Sequence, residues 1–338
     1  MEIKTNLNFN DFKSNQSVRW CPGCGDHAVL NSVQKAMADL GYTKEEVAVI
    51  SGIGCSSRFP YYMDTYGFHT IHGRASAVAS GVKSANPKLK VWQITGDGDA
   101  LAIGGNHFIH LIRRNIDINV ILFNNQIYGL TKGQYSPTSE RGFVSKSSPH
   151  GTIEFPFNPG ELTLGSRGFF FARTVDKELK LSEAIYKEAA LHVGTSVVEV
   201  LQNCVIFNDK THEAITDKAT KEDRTIVLEH GKPMIFGKER NKGLMLNGFN
   251  IKVVTIGENG VKESDLLVHD AHCEDNLLHI KLTSMAYPEY PVALGVIRSV
   301  NAPNYDSEME KQIEEVKSVS KIKSLEELLH HGDVWEIK

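Results

Sequence analysis

Four short apolar runs of the sequence are each followed at once by small, polar or sulfur-bearing residues that add little to a hydrophobic core. These four segments are Gly52 to Ser57, Gly96 to Asp99, Asn124-Asn125 and Gln202 to Cys204. In an open parallel sheet, ligands bind beyond the carboxyl ends of the strands, where loop amides and helix N-termini converge. If the apolar runs are strands, the four segments predict one ligand site at one edge of a sheet.

The segment Gly96-Asp97-Gly98 has the chemistry of a phosphate and cation site. Glycines let the backbone approach a phosphate closely, and a carboxylate between them can hold a hard divalent cation. A tight turn between a strand and a helix would explain the same residues without any ligand. Twenty-five residues separate Gly98 from Asn124-Asn125, which is enough for one crossover helix between neighbouring strands. The Asn amide oxygen and the Asp97 carboxylate are therefore predicted to meet on one Mg²⁺ ion.

Four of the five cysteines are available as metal ligands, and two of them are predicted to lie at the same edge. Cys21 and Cys24 have the two-residue gap that lets two thiolates bind one metal centre, although a redox pair or half of a zinc site would show the same spacing. Cys55 and Cys204 each follow a strand, where an isolated cysteine is more often a small buried apolar residue. Together the four thiolates suit zinc or an iron-sulfur cluster. Cys273 lies apart; we expect it to be structural, with a small metal site shared with neighbouring histidines as the alternative.

The elements that would position these residues alternate between strands and helices. Apolar runs of strand length occur at Val47–Ser51, Val91–Thr95, Ile118–Phe123, Phe169–Thr174 and Ser196–Leu201. Apolar residues recur every three or four positions in the helical segments Asp26–Leu40, Arg74–Ala85, Ile103–Arg114 and Ser182–His192. This alternation predicts an α/β fold whose central, mostly parallel sheet is covered by helices on both faces.

Two segments depart from this alternation. The stretch Tyr128–Gly165 is rich in Gly, Pro, Ser and Thr, and it is predicted to be a long loop that covers the site. Later in the chain the sequence becomes more polar, with an apolar run at Tyr290–Val300 and a charged helix near Ser307–Leu329. We therefore divide the chain into a cofactor-binding domain, residues 1–208, and a C-terminal extension, residues 209–338.

Composition excludes several classes of function. The chain has 338 residues, 41% of them hydrophobic, so it can bury a core of ordinary size. With 37 basic and 41 acidic residues and a net charge of -4, it offers no electrostatic surface for nucleic acid or an anionic membrane. No apolar stretch approaches the roughly 20 residues of a membrane helix, and the first residues contain no secretory core. We therefore expect a cytoplasmic protein with reduced cysteines and a small-molecule partner.

Gly96-Asp97-Gly98, the spacer and Asn124-Asn125 resemble the thiamin diphosphate signature. Together with the four cysteines, the motifs resemble the β subunit of 2-oxoacid:ferredoxin oxidoreductases over about residues 18 to 208. The matching segments are Trp20 to Asp26, Gly52 to Ser57, His69 to Arg74, Gly96 to Asp99, Asn124 to Gln134 and Gln202 to Cys204. Ser56 to Tyr62 and Thr131 to Ser139 are most similar to the 2-oxoglutarate branch, with a pyruvate or broad-specificity enzyme as the alternative.

The resemblance implies three cofactors and a three-layer thiamin diphosphate-binding fold. It assigns one [4Fe-4S] cluster to Cys21, Cys24, Cys55 and Cys204. It assigns Mg²⁺ to the side chains of Asp97 and Asn125 and to the backbone carbonyl of Ile127. It assigns thiamin diphosphate to Ile53, Gly54, Cys55, Ser56, His72, Gly98, Asp99, Gly129 and Leu130. From the sequence alone, a surface or capping role for His72 is equally open.

The resemblance also implies a reaction. It predicts the oxidative decarboxylation of 2-oxoglutarate with coenzyme A to succinyl-CoA and CO₂, with electrons passing through the cluster to ferredoxin. Lys132 is the candidate to bind a substrate carboxylate, although most loop lysines are simply solvated. Arg58 is the candidate to pair with the distal carboxylate of 2-oxoglutarate, because a guanidinium fork matches carboxylate geometry.

No glutamate lies in a recognisable motif for the carboxylate that thiamin enzymes use beside the aminopyrimidine ring. In the resembled family that residue comes from a separate α subunit. We therefore assign no catalytic residue to this chain and expect activity only with an α subunit. Two other interpretations stay open: a non-redox thiamin enzyme with incidental cysteines, and a zinc-stabilised, non-catalytic binding subunit.

Overall fold

The computed structural model describes residues 7–337. Its strands are β1 (Val47–Ser51), β2 (Tyr66–His69), β3 (Lys90–Gly96), β4 (Ile118–Asn124), β5 (Phe170–Val175), β6 (Ser196–Leu201), β7 (Thr225–Leu228), β8 (Ile235–Phe236), β9 (Lys242–Asn247), β10 (Asn250–Thr255) and β11 (Val292–Ser299). Eight of them form one sheet in the order β2-β1-β3-β4-β6-β5-β11-β7. Within it only β11 and β5 pair antiparallel, so the predicted mostly parallel sheet is confirmed.

Helices connect the strands and cover the sheet. They are α1 (Asp26–Asp39), α2 (Ala75–Ala85), α3 (Asp97–Leu101), α4 (Gly105–Arg114), α5 (Pro159–Gly165), α6 (Leu179–Leu191), α7 (Glu213–Thr216), α8 (Lys221–Arg224), α9 (Leu277–Ser284), α10 (Tyr305–Val319) and α11 (Leu325–Leu329). Side chains of α2 and α4 pack into one hydrophobic cluster, and side chains of α1 and α6 pack into the other. The four helices and five strands predicted between residues 26 and 201 are all present, with ends that shift by a few residues.

Strand β4 shows why the strands are almost continuously apolar. All seven of its residues are buried. Ile118, Val120 and Leu122 belong to one hydrophobic cluster, whereas Ile121 and Phe123 belong to the other. Because successive side chains of a strand point to opposite faces, these two clusters lie on the two sides of the sheet. The sheet is therefore the middle of three layers, as predicted.

Strand β2 forms one edge of the sheet and differs from the central strands. All four of its residues are exposed, and the side chains of Tyr66 and Phe68 are 57% and 50% exposed. Among residues 7–337 it pairs with β1 alone, so its other side offers backbone groups that this part of the chain leaves unpaired. Its short length and lack of apolar burial explain why no strand is predicted there.

Two predictions for the irregular segments need correction. The predicted loop Tyr128–Gly165 ends in helix α5. The Asn158 side chain caps this helix by accepting hydrogen bonds from the backbone N–H groups of Gly160 and Glu161. The predicted helix near Ser307–Leu329 is two helices, α10 and α11, separated at Ser320 to Ser324. In both cases a capping side chain, rather than the apolar period, determines where the helix starts.

The region after residue 208 contributes to both of the sheets. Strands β7 and β11 extend the main sheet, while β8, β9 and β10 form a small antiparallel sheet. The division into residues 1–208 and 209–338 stays a prediction. Within the described residues, no helix has the length and apolar content needed to cross a membrane.

Candidate functional site

The carboxyl ends of four adjacent parallel strands meet at one edge of the sheet. β1, β3, β4 and β6 are neighbours there, and each is followed by one of the four segments singled out in the sequence. Two cavities open at this edge. We call them the strand-end cavity, of about 470 Å³, and the cysteine cavity, of about 180 Å³.

The strand-end cavity collects nearly all of the residues predicted to bind thiamin diphosphate and Mg²⁺. Its lining includes Ile53, Gly54, Cys55, His72, Asp97, Gly98, Asp99, Asn125, Ile127, Gly129 and Leu130. Ser56 does not line it, because its side chain is buried in the turn after β1. The spacing argument that placed Asp97 and Asn125 together thus agrees with the structure: β3 and β4 pair directly, so both residues reach one space.

Asp97 is held in place by the loop that follows β4. Its Oδ2 accepts hydrogen bonds from the hydroxyls of Ser136 and Thr138, at 2.5 Å and 2.6 Å. Burial raises the pKa of Asp97 to about 6, even though hydrogen bonds from Ser136 and Thr138 act to lower it. No Lys or Arg lines the cavity among residues 7–337. A buried carboxylate with hydroxyl donors on one oxygen and no cation is suited to a metal ion on its other oxygen.

Asp99 has structural contacts besides the cofactor role predicted for it, which stays a prediction. It lines the strand-end cavity, but its Oδ1 accepts hydrogen bonds from the backbone N–H of Ile53 and Gly73 and from Nδ1 of His72, at 3.0, 2.7 and 2.8 Å. Its Oδ2 accepts from the Thr95 hydroxyl at 2.8 Å. The carboxylate therefore joins the segments after β1, β2 and β3 and orients His72.

Two glycines leave room for these contacts. A Cβ at Gly52 would lie 1.8 Å from Asp99 Oδ2, so no other residue fits beside that carboxylate. A Cβ at Gly98 would lie 2.3 Å from the ring of Tyr128, whose hydroxyl donates to the Gly98 carbonyl at 2.9 Å. Both positions require glycine for close approach rather than for an unusual φ angle.

The cysteine cavity is bordered by all four of the cysteines predicted to bind a cluster, Cys21, Cys24, Cys55 and Cys204. Desolvation by burial raises the pKa of Cys55 to about 12 and raises the pKa of the Cys24 thiol further still. Among residues 7–337, no three His, Cys, Asp or Glu side chains gather closely enough to hold a single metal ion. The four thiols instead surround a space.

Three polar side chains lie beside the thiols of the cysteine cavity. The Trp20 indole N–H donates to the Cys55 carbonyl at 2.6 Å, and Gln202 Nε2 lies 3.4 Å from Cys24 Sγ. Asp26 is 1% exposed, and burial raises the pKa of its carboxyl to about 7. All three side chains belong to the lining of the cavity, where Trp20 holds the Cys55 backbone and Gln202 contacts the Cys24 thiol.

The two cavities share a wall. Cys55, Asn125, Gly129 and Leu130 line both of them. A Cβ at Gly129 would lie 3.5 Å from the sulfur atoms of both Cys55 and Cys204, so this glycine sits against two of the thiols. Asn125 Nδ2 donates to Gln202 Oε1 at 2.9 Å, which ties the strand-end cavity to the residue beside Cys24.

The predicted substrate residues lie outside the strand-end cavity. Arg58 lines the cysteine cavity, because the 3₁₀-helix Ser56–Tyr62 starts directly after Cys55 and returns the third residue to the same side. Lys132 is exposed in the turn after Leu130, with a φ of 76°. Their roles stay predictions. Cys273 is also exposed and far along the chain, where its carbonyl accepts a hydrogen bond from Arg298 at 2.7 Å.

Sequence reasoning missed Ser136, Thr138 and Gln202 as supports of the site. Ser136 and Thr138 belong to the segment Thr131 to Ser139 that carries the resemblance to the 2-oxoglutarate branch, which is the signal that pointed toward them. Gln202 directly follows β6 and precedes Cys204 by two residues, so its place at the strand end was visible. What the sequence does not show is which partner each hydroxyl or amide contacts.

Comparisons with known proteins agree with this geometry. Residues 52–200 match the family model of the thiamine pyrophosphate enzyme C-terminal TPP-binding domain, thiamine pyrophosphate being another name for thiamin diphosphate. The 2-oxoglutarate oxidoreductase subunit KorB of Mycobacterium tuberculosis is 44% identical over 330 residues, covering 97% of this chain and 88% of that protein. The chain belongs to the β subunits of the 2-oxoacid:ferredoxin oxidoreductases.

Other members of the family match over part of the chain, and a solved structure matches over nearly all of it. The 2-oxoacid:ferredoxin oxidoreductase 1 subunit beta of Aeropyrum pernix is 48% identical over 56% of this chain and 60% of its own length. The solved 2-oxoglutarate:ferredoxin oxidoreductase of Magnetococcus marinus, with 2-oxoglutarate, coenzyme A and succinyl-CoA bound, superposes with a TM-score of 0.77 and 31% identity, covering 98% of both chains. The predictions of the family, the thiamin-binding fold and an oxidoreductase subunit are confirmed.

Proposed function

We propose that this β subunit belongs to a 2-oxoglutarate:ferredoxin oxidoreductase, also called 2-oxoglutarate synthase. The enzyme converts 2-oxoglutarate and coenzyme A to succinyl-CoA and CO₂ and passes the electrons through one [4Fe-4S] cluster to ferredoxin. One observation carries the proposal: the strand-end cavity and the four-thiol cavity share the wall of Cys55, Asn125, Gly129 and Leu130. A reaction that releases electrons at one cavity and removes them at the other needs this proximity.

The residues of the strand-end cavity fit a diphosphate-bound Mg²⁺ ion. Asp97 would supply a carboxylate oxygen, Asn125 an amide oxygen and Ile127 its backbone carbonyl, all of them hard ligands. The Asp97 oxygen that Ser136 and Thr138 hold is already satisfied, which leaves its second oxygen for the ion. Thiamin diphosphate, when bound, supplies a nucleophilic carbon that adds to the 2-oxoacid and accepts the electron pair released with CO₂.

The cysteine cavity fits a multinuclear cluster. Four thiols around a space of about 180 Å³ offer the soft, four-ligand set of an iron-sulfur centre. The buried thiols have raised pKa values, so they are protonated in the metal-free chain and must lose protons when metal binds. The side chain of Cys21 is exposed, which gives the cavity an open side toward an electron acceptor such as ferredoxin.

An α subunit completes the thiamin site. Among residues 7–337, no glutamate lines the strand-end cavity, so the carboxylate that activates the aminopyrimidine must come from another chain. His72 stays fixed by Asp99 at the cavity and is available to contact the cofactor. Lys132 and Arg58 are the proposed partners of the two substrate carboxylates.

One anaerobic experiment tests the whole proposal. The chain is co-expressed with its α subunit, and the complex is assayed for iron, thiamin diphosphate and ferredoxin or viologen reduction with coenzyme A. We expect a brown complex with about four irons per β subunit and the fastest reduction with 2-oxoglutarate. Fastest reduction with pyruvate would assign the other branch. A colourless complex with thiamin would indicate a non-redox enzyme, and zinc without thiamin would indicate a binding subunit.

Substitution of Arg58 tests the substrate assignment separately. If Arg58 binds the distal carboxylate, Arg58→Leu raises KM for 2-oxoglutarate far more than KM for pyruvate, which lacks that group. An equal change in both KM values, together with a shifted reduction potential of the cluster, would place the guanidinium beside the cluster instead.

A further inference from the structure

The side chain of Gln202 contacts residues of both cavities at the carboxyl edge. It follows β6 directly and is 1% exposed. Its Oε1 accepts a hydrogen bond from Asn125 Nδ2 at 2.9 Å. Its Nε2 donates to the Asn203 carbonyl at 2.5 Å and to Cys24 Sγ at 3.4 Å, a distance at which an N–H group can donate to sulfur. One amide therefore joins a proposed Mg²⁺ ligand to a proposed cluster ligand.

The contacts of the Gln202 amide permit one orientation. A side-chain amide has two N–H donors and one carbonyl oxygen, and here all three are used. Rotating the amide by half a turn would place its oxygen against the Asn203 carbonyl oxygen and its nitrogen against Asn125 Nδ2. Both contacts would then bring like groups together. An N–H group of Gln202 therefore faces the Cys24 sulfur.

The carbonyl that anchors Gln202 belongs to a well-fixed turn. The backbone N–H of Asn203 donates to Asp176 Oδ2 at 2.8 Å. Its side chain donates to Asp209 Oδ1 at 2.9 Å and accepts from the backbone N–H of Lys210 at 2.7 Å. Because Asn203 is held at both its backbone and its side chain, Gln202 keeps a constant position between the two cavities.

The Asn125 amide connects Gln202 to the proposed Mg²⁺ site. Its Oδ1 accepts from the backbone N–H of Ile127 at 3.2 Å, and the second lone pair of that oxygen is free for an ion. An amide whose oxygen binds a cation becomes a stronger N–H donor, and hydrogen bonds in a chain polarise one another. The polarisation passes from Asn125 to the Gln202 amide and from there to the N–H group on the Cys24 sulfur.

We propose that Gln202 is a positioning residue that links Mg²⁺ binding to the reduction potential of the cluster. This inference rests on the proposed ligand roles of Asn125 and Cys24. A hydrogen bond to a sulfur ligand stabilises the more negative, reduced cluster and so raises its potential. The cluster then accepts an electron more readily when the thiamin cofactor is in place. By linkage, reduction of the cluster tightens Mg²⁺ binding by the same factor.

Two substitutions separate the two ends of this connection. Gln202→Met keeps the length of the side chain but removes both polar ends. We expect the equilibrium constant for cluster reduction to fall about tenfold, equal to about 59 mV for one electron. Mg²⁺ affinity, measured through thiamin diphosphate binding, should fall about tenfold because Asn125 loses its partner. Gln202→Glu keeps an acceptor for Asn125 but has no N–H group for the sulfur, so the potential should fall equally while Mg²⁺ affinity stays within about threefold.

Redox titration of the anaerobic αβ complex, followed by electron paramagnetic resonance, tests the link itself. In the wild type, adding Mg²⁺ and thiamin diphosphate should raise the equilibrium constant for reduction about threefold, or about 28 mV. The shift should be absent in both Gln202 variants. Gln93→Met is the matched control: it removes a buried amide that donates to the Ser76 hydroxyl at 2.9 Å and lines neither cavity. It should keep the wild-type potential and the wild-type shift.

The outcomes distinguish this inference from the proposed function. A wild-type potential that does not respond to Mg²⁺ and thiamin diphosphate overturns the link without any variant. A wild-type shift that persists in both Gln202 variants would assign it to charge acting through space and would also overturn the link. Unchanged potentials in both variants would remove the hydrogen bond to sulfur. A wild-type complex without a cluster, or without Mg²⁺-dependent thiamin binding, would overturn the proposed function and this inference with it.

Discussion

The two cavities at the carboxyl edge differ in how completely the protein has prepared them. In the strand-end cavity, Asp97 already accepts two hydroxyl hydrogen bonds and Asp99 accepts four hydrogen bonds. In the cysteine cavity, the Cys24 thiol has a long contact with Gln202, and burial holds the pKa values of Cys24 and Cys55 above that of a free thiol. One cavity is preorganised, whereas the other would be completed only by the proposed cluster.

This difference predicts two modes of binding for the two proposed metal cofactors. Carboxylate oxygens that other side chains already orient lose little conformational entropy when a cation binds. The affinity for the cation therefore depends on how well these oxygens are positioned beforehand. Thiols that are neutral in the metal-free chain must give up protons, so cluster binding is linked to proton release and to the packing of the cavity. The two cavities should therefore respond separately to substitution, even though they share a wall.

The largest expected effect comes from removing a proposed cluster ligand. In Cys24→Ser we expect iron and the brown colour to be lost and viologen reduction to fall by more than about 100-fold, because the four-thiol set is broken. Thiamin diphosphate affinity, measured by calorimetry, should stay within about threefold. Cys273→Ser serves as the control and should change neither property. An equal loss of thiamin affinity in Cys24→Ser would show that the cavities do not act separately.

Asp97→Asn should produce the reverse pattern. Removing the buried charge costs the metal site about 3 kcal/mol, equivalent to about 100-fold in the Mg²⁺ affinity measured through thiamin diphosphate binding. Iron content should not change. Asp64→Asn, at an exposed carboxylate paired with Lys44, is the control and should leave Mg²⁺ affinity unaltered. Retained Mg²⁺ affinity in Asp97→Asn would remove Asp97 from the set of ligands.

Acidification should weaken Mg²⁺ binding by about tenfold between pH 7 and pH 5. The pKa of Asp97 in the metal-free cavity is raised to about 6 by burial, so the carboxylate is charged at pH 7 and protonated at pH 5, where the proton competes with the ion. The apparent Mg²⁺ dissociation constant, titrated at fixed thiamin diphosphate, should rise as the pH falls through about 6. A constant value down to pH 4.5 would contradict the raised pKa.

The smallest expected effect tests the loop that holds Asp97. Thr138→Val removes one of the two hydroxyl donors, and we expect Mg²⁺ affinity to fall about fivefold, since Ser136 still binds the same oxygen. Thr138→Ser should recover most of the loss. Thr152→Val, at a buried threonine of the same loop whose hydroxyl accepts from the Glu154 N–H, should have no effect. Equal losses in both valine variants would indicate a general disturbance of the loop.

The sequence predicts the parts of the site that depend on strand ends. Asp97 and Asn125 follow neighbouring strands, and strand spacing is enough to bring them together. The sequence does not predict the contacts of Ser136 and Thr138 with Asp97. These residues reach Asp97 through an irregular loop, in which apolar residues show neither a helical nor a strand period. Arg58 shows a second limit: its role stays a prediction, and the sequence does not show that the 3₁₀-helix after Cys55 places it at the lining of the cysteine cavity. The sequence pattern predicts which residues meet at the ends of adjacent strands. It does not predict the path of a loop, because that path depends on tertiary contacts.

The edge strand β2 has a consequence for how the cell must make this subunit. A short strand with exposed aromatic side chains and an unpaired side is a template on which other unpaired strands can add. A subunit whose β2 edge is uncovered is therefore expected to aggregate over time through this strand. Synthesis together with a chain that covers the edge should keep more of the subunit in solution.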